Sequence, residues 1–318
     1  MKVVVIGGTG HVGTYLVPRL VEAGHEVVCI SRGESQPYLP HAAWNQVERV
    51  FIDRAAEEAA GTFGGKIRDM QPDAVIDMIC FTLESCQHLV EALRGQVEHF
   101  LHCGTIWMHG HSAQVPTTED AARQPFGEYG IQKSLIERYL MREAHLNNFP
   151  ATAIHPGHIV GPGHIPVNPA GNKELDVFEK LAKGETLNIP NLGMETVHHV
   201  HADDVAQVFM LAMANWSTSV GESFHAVSGA ALTLRGFAEA LAAWFGQEAD
   251  LNFMPWDQWK ETVSEDAAAG TWDHIAHSPN ASIEKARRLL GYTPRYTSLE
   301  AVFESVQWLA DHGEIDIS

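Results

Sequence analysis

The stretch KVVVIGGTGHVG, residues 2–13, decides the fold. Its first five residues are dense in Val and Ile and read as a buried strand. Gly7, Gly8, Gly10 and Gly13 follow directly, and HVGTYLVPRLVE then repeats apolar residues at helical spacing. Glycines between a strand and a helix permit a tight turn and let a backbone approach a pyrophosphate. The oriented N–H groups of the helix N-terminus favour that negative charge. GxxGxxG alone is a weak signal. With the strand before it and the helix after it, the pattern predicts a dinucleotide site built from Gly7, Thr9, Gly10, His11, Val12 and Gly13.

Working outward, five more apolar runs ended by turn-formers read as strands: residues 25–31, 47–53, 72–80, 97–105 and 150–161. Helical patterns lie between them near 11–23, 55–70, 83–94 and 128–147. Strand-helix alternation of this kind predicts an α/β fold, a doubly wound parallel sheet with helices on both faces. After about residue 162 the punctuation changes to GPGHIPVNPAGN, with helices expected near 173–183, 202–215 and 233–245. Residues 1–162 are therefore expected to form the dinucleotide-binding domain. Residues 163–318 are expected to form a smaller, mixed C-terminal substrate lobe, interleaved with the end of the sheet.

Composition narrows the function. The 318 residues carry 21 Lys and Arg against 40 Asp and Glu, a formal charge of −19. No basic run tracks a phosphate backbone, which argues against nucleic acid as a partner. No stretch approaches the ~18 consecutive apolar residues of a membrane span, so no membrane association is expected. Cys29, Cys80, Cys86 and Cys103 form no CxxC and read as buried thiols of a reducing compartment. Met1 leads straight into the first strand and not into a signal peptide, so a cytoplasmic setting is expected.

The second strand ends Ser31-Arg32, with no acid placed to grip a ribose 2′-hydroxyl. An Arg there suits a 2′-phosphate, which slightly favours NADP over NAD as the form of NAD(P) bound. Glu34 lies two residues on, and a merely solvated Arg32 remains open. Asp53 ends the third strand, either to accept from the adenine amino group or to form a turn. Thr105 sits at the tip of the fifth strand, where a hydroxyl can hold a substrate oxygen. Tyr129 and Lys133 stand one turn apart in EYGIQKSLIERYL. Nearby cations, Lys133 and an oxidised nicotinamide, favour phenolate and are expected to lower the pKa of Tyr129 toward working pH. Tyr129 then serves as acid/base with Lys133 tuning it. Thr105, Tyr129 and Lys133 are the catalytic candidates, Lys133 also touching the cofactor.

GGTGHVG, YGIQK and Thr105 together resemble the signatures of extended short-chain dehydrogenase/reductases of the NAD-dependent epimerase/dehydratase type, and the likeness runs over nearly the whole chain. It implies a Rossmann sheet and an NAD(P)-dependent enzyme that transfers hydride at a secondary alcohol or ketone of a sugar or related polyol. HPGHIVGPG, residues 155–163, resembles the segment lining the nicotinamide, which implies Pro156 and His158 as cofactor contacts. HHVHADDVA, residues 198–206, resembles the strand-helix segment below the substrate. The candidate substrate contacts are Trp107, His109, His155, Asn172 and His199. His199 and His201 precede Asp203 and Asp204, types that also ligate metals, but a hydrogen-bonded His beneath the pocket is the ordinary role, and no metal is expected. Members of the family commonly pair the 128–147 helix with its symmetry mate, and apolar residues on more than one side of this helix fit a homodimer.

The departures bear on substrate. His155 and Val197-His198 stand where relatives that bind nucleotide sugars carry Arg, so an uncharged sugar, glycoside or polyol is expected to bind better, unless Lys173 or Arg235 supplies the clamp. Two alternatives stay open: an NADP-dependent carbonyl reductase or alcohol dehydrogenase acting on a small molecule, and a non-catalytic dinucleotide-binding sensor.

Overall fold

The computed structural model describes residues 1–317. In chain order its strands are β1 (Lys2–Ile6), β2 (Glu26–Ser31), β3 (Glu48–Phe51), β4 (Ala74–Asp77), β5 (His99–Cys103), β6 (Ala151–Pro156), β7 (His158–Val160), β8 (Leu187–Pro190), β9 (Thr196–Val197), β10 (His199–His201), β11 (Ser223–Ala226), β12 (Leu232–Thr233) and β13 (Leu251–Met254). Seven of them form one sheet in the order β11-β6-β5-β4-β1-β2-β3, every neighbouring pair parallel. The order reverses between β1 and β4. In doubly wound sheets the crevice beyond the carboxyl ends of the strands at such a reversal is where ligands bind.

Period-two alternation divides the sheet between two cores. Val3, Val5, Val27, Ile76 and Leu101 face α1 (His11–Glu22), while Val4, Ile6, Val28, Val75 and Phe100 lie on the other side. Between β3 and β4 come α2 (Arg54–Ala59) and α3 (Phe63–Asp69), followed by α4 (Leu83–Leu93) and α5 (Gly127–Asn147). The second face is covered by α3, α4 and α5 through Ile67, Leu89, Leu93, Ile136 and Leu140. Further along lie α6 (Asp176–Lys183) and α7 (Ala202–Ala214), and α7 joins α1 on the first face through Val205, Val208 and Phe209. Residues beyond 162 feed both structures: β11 completes the large sheet, while Phe178, Leu187, Ile189, Phe237 and Trp259 belong to a separate apolar core.

Two expected elements divide. The helix expected over 55–70 breaks at Gly61, whose φ of 68° ends α2 before α3 begins. The run 150–161 is two strands, because Gly157 lets the backbone of His198 come so close that a Cβ would collide with its carbonyl. β7 accordingly leaves the large sheet and pairs in parallel with β10. That departure opens the space beside the tip of β5.

Candidate active site

The glycine loop shapes the first half of the crevice. Gly7 has φ +82°, and a Cβ there would lie 2.7 Å from Ile79 Cγ2. Any side chain at Gly13 would strike the carbonyl of Gly8, so α1 packs directly on the turn. A Cβ at Gly10 would meet only Gly7 O, at 3.6 Å, and Gly10 lines the cleft. The first turn of α1 contains no acidic residue. A bare loop at an uncompensated helix N-terminus fits a pyrophosphate. The cleft encloses about 610 Å³ and is bordered by Gly7, Thr9, Gly10, Ser31, Arg32 and Asp53. The volume suits the adenosine half of a dinucleotide.

The remaining loop residues are placed differently. Val12 is buried in the core. His11 contacts Gly163 O through Nε2 at 3.1 Å and stacks on Tyr38 with ring centroids 4.0 Å apart, tying the loop to the segment after β7. Arg32 and Glu34 form an ion pair at 2.8 Å, both about two-thirds exposed. Asp53 accepts from Ala56 N at 3.2 Å and so caps α2, while still lining the cleft. Below lies a buried network without a sequence signature: Arg54 donates to Asp77 at 2.7 Å, to Glu58 at 2.7 Å and to Ser85 at 2.8 Å.

A second cavity, about 260 Å³, opens at the tip of β5. Thr105, Trp107, Tyr129 and His158 line it. Lys133 lies behind, almost fully buried, its Nζ donating to Cys80 O and Cys103 O at 2.7 Å each and sitting 5.8 Å from the centroid of the Tyr129 ring. The expected lowering of the Tyr129 pKa is not what this geometry produces. Burial pushes the phenol up to about 12, and a hydrogen bond with Thr105 pulls only weakly the other way. Part of the ring is exposed, but desolvation acts at the hydroxyl inside the cavity. Lys133 turns its charge toward two carbonyls, and desolvation lowers its own pKa.

Other candidates stand one layer back. His155 is fully buried on β6, with Nδ1 accepting the backbone N–H of Thr105 at 3.2 Å. Only a glycine at 104 permits this, since a Cβ there would collide with the imidazole. His109 is buried with its Nε2 2.8 Å from His225 Nε2. His199 donates through Nε2 to Val167 O at 2.9 Å. Pro156 ends β6, buried. Asn172 is buried and bonds Asn168 and Thr271, bordering a different cavity.

Three lining imidazoles have their tautomers set by backbone partners. His158 accepts from His198 N through Nδ1 at 3.2 Å, which leaves Nε2 protonated, buried and without a partner. His164 and His274 donate through Nδ1 to Ile165 O at 3.0 Å and Gly270 O at 2.6 Å. Burial pushes His164 and His274 down to about 4, and His158 well below its ordinary range, so all three are neutral at pH 7. His274, on the helix Glu265–His277, has no signal in sequence: nothing local links it to β7.

A family model described as the NAD dependent epimerase/dehydratase family matches residues 3–225. The chain belongs to that family. Membership makes it an NAD-dependent enzyme of the epimerase/dehydratase type. Relatives of this family member include a UDP-glucose 4-epimerase of Mycolicibacterium smegmatis, 24% identical, the match covering 99% of this chain and all of that one. Another is the chloroplast stem-loop binding protein of 41 kDa b of Arabidopsis thaliana, 25% identical over 96% of this chain and 78% of its own length. Among solved structures, the UDP-glucose 4-epimerase of Thermotoga maritima with UDP-glucose superposes with a TM-score of 0.74 at 20% identity, covering 98% of this chain and 99% of that one, a likeness of fold. No helix among the described residues is long and apolar enough to cross a membrane.

Proposed function

We propose that this family member transfers hydride at a secondary alcohol or ketone of a sugar or related polyol. The observation that carries this reading is the convergence of Thr105 and Tyr129 on one small cavity, with Lys133 buried behind them. Thr105 Oγ1 orients the reacting oxygen and Tyr129 exchanges a proton with it. Lys133, held by two carbonyls, keeps a fixed positive charge near the phenol. NAD(P), when bound, supplies the hydride donor or acceptor and, oxidised, a second positive charge. A phenol held near 12 by burial favours the protonated form, so Tyr129 is poised first as the acid that protonates a carbonyl oxygen during reduction. If the oxidised sugar stays bound and is re-reduced on its other face, the outcome is epimerisation; if it leaves, the protein is a dehydrogenase. The residues serve both.

Arg32 supports NADP over NAD, because an exposed ion pair to Glu34 holds it weakly and leaves it free to meet a 2′-phosphate. Four free, buried cysteines fit a reducing cytoplasm. The non-catalytic alternative gains some support from the name of the Arabidopsis relative, but a charge of −19 gives a nucleic acid little to bind. The test is Tyr129→Phe in protein loaded with NAD or NADP, mixed with a sugar panel and followed both by nicotinamide absorbance and by chromatography for epimerised sugar. Turnover is expected to fall ~10²–10⁴-fold with cofactor affinity retained. A Phe variant that turns over like the wild type refutes the assignment.

A further inference from the structure

The lining of the second cavity contains one charged side chain at neutral pH. His158, His164 and His274 are neutral, and the other lining groups are hydroxyls, Trp107, backbone and aliphatic carbons. The exception is Lys173. It has no ion-pair partner among the described residues. Its neighbour Glu174 borders a separate cavity, where Ser264 Oγ donates to Glu174 Oε1 at 3.4 Å. The residue as a whole is exposed, yet desolvation at its ammonium lowers its pKa, and its charge reaches His11, His158, His164 and His274. In a chain of charge −19, acids to pair with it are plentiful, yet none is placed here.

We infer that Lys173 anchors a single anionic group, carboxylate or phosphate, on a hexose-sized substrate. This rests on the second cavity being the site of hydride transfer. The positions expected to carry a diphosphate fork hold none: Val197 is fully buried in the lobe core, and His198 donates to Ser228 O at 3.1 Å. Arg235 pairs with Glu239 at 2.8 Å, lies over the Phe253 ring and is not part of this cavity's lining. An ammonium is a point charge and lacks the planar fork that spans two phosphates. The cavity, about 260 Å³, is of a size to receive a hexose ring. The inference replaces the expectation of an uncharged substrate with a polyol carrying one negative charge, its hydroxyls meeting neutral imidazoles.

The test uses the full chain loaded with NAD or NADP, titrated calorimetrically with hexoses, the matching hexuronates, the matching hexose 6-phosphates and UDP-glucose. At least one hexuronate or hexose 6-phosphate is expected to bind tenfold or more tighter than its neutral hexose, and which of the two does so tells carboxylate from phosphate. Lys173→Met is expected to erase that preference and leave cofactor affinity unchanged. The inference is overturned if no charged sugar binds better than its neutral counterpart, if Lys173→Met leaves the preference intact, or if UDP-glucose binds tightest. Absorbance at 340 nm separates the two ideas. Charge-dependent binding with neither a nicotinamide absorbance change nor any epimerised sugar detected by chromatography defeats the hydride-transfer reading alone. Equal turnover of neutral and charged sugars defeats the role of Lys173 alone.

Discussion

Replacing His155 by Leu tests whether the layer beneath the cavity positions Thr105. The imidazole makes one identified hydrogen bond, Nδ1 accepting from Thr105 N at 3.2 Å, while its Nε2 is buried without a partner. Leu orphans the Thr105 N–H, which costs about 1–3 kcal/mol for a buried donor. The same change removes the orphaned Nε2–H, a penalty of similar size and opposite sign. The two offset, and stability is expected to change by roughly 1 kcal/mol or less. Turnover has no such offset. Thr105 loses the bond that fixes its backbone at the end of β5, and a displacement of about 1 Å at a positioning group costs on the order of 10²-fold. Asn at 155 presents an oxygen where Nδ1 lay and is expected to recover much of the rate. Urea denaturation and nicotinamide absorbance read the two quantities separately. A double-mutant cycle with Thr105→Ala completes the assay: if His155 acts through Thr105, adding His155→Leu to the Ala variant changes turnover little. Fully additive losses, or a loss of stability above about 3 kcal/mol with turnover intact, would falsify this account.

Arg32→Ala is expected to weaken NADP binding roughly tenfold, about 1.5 kcal/mol at so exposed a charged hydrogen bond, and to leave NAD unchanged; equal effects on both cofactors, seen by fluorescence titration, remove the NADP preference. Stability is expected to fall as pH drops from 6.5 toward 4. Buried His99, His109 and His198 are pushed down to about 4 by burial, so below 6.5 the unfolded chain binds protons that the folded one does not. Each such histidine contributes a slope of about 1.4 kcal/mol per pH unit in that window, while Glu119 and Asp204, raised by burial, oppose it at the acid end. A urea midpoint unchanged between pH 7.5 and 5 contradicts this. A homodimer through α5 is expected, because Ile131 is 38% exposed on the side away from the sheet; light scattering should give twice the 35.0 kDa chain mass, and Ile131→Arg should halve it. A monomer at micromolar concentration refutes the pairing.

What was legible in the sequence is what short-range physics encodes. The glycine loop needs only a strand, a turn and a helix in succession, so residues 2–13 announce it. Tyr129 and Lys133 are one turn apart on α5, and Thr105 ends an apolar run, so their meeting follows from periodicity and parallel topology. The protonation of Tyr129 did not follow. A list of residues shows a cation nearby, whereas desolvation of the phenol and the two carbonyls that occupy Lys133 exist only in three dimensions. His155 illustrates the same limit. Its place where relatives carry Arg suggested a substrate contact, but the space created by Gly104, just past the end of the adjacent strand, lets it turn beneath Thr105. Lys173 was visible as a residue and invisible as an unpaired charge. His274 reaches the cavity through tertiary packing alone.

Of the nineteen histidines, unusual in number, three line the cavity and acquire a physical purpose there. An Arg fork binds through charge and tolerates many anions. Imidazoles held neutral by burial, with tautomers set by backbone partners, present single donors and acceptors in fixed directions. His158, which the resemblance assigns to the cofactor, offers a buried N–H that nothing among the described residues satisfies, so a bound molecule lacking an oxygen there leaves the donor orphaned at about 1–3 kcal/mol. Such a lining discriminates by the positions of hydroxyls, because missing partners are penalised more strongly than extra methylenes. Charge enters this lining once, at Lys173, whose proposed role is to orient the molecule while neutral groups recognise the ring. On the proposed reading, such a site recognises a small polyol by pattern, and its selectivity is expected to depend on the strands that hold His158 and its backbone partner in register as much as on the imidazoles themselves.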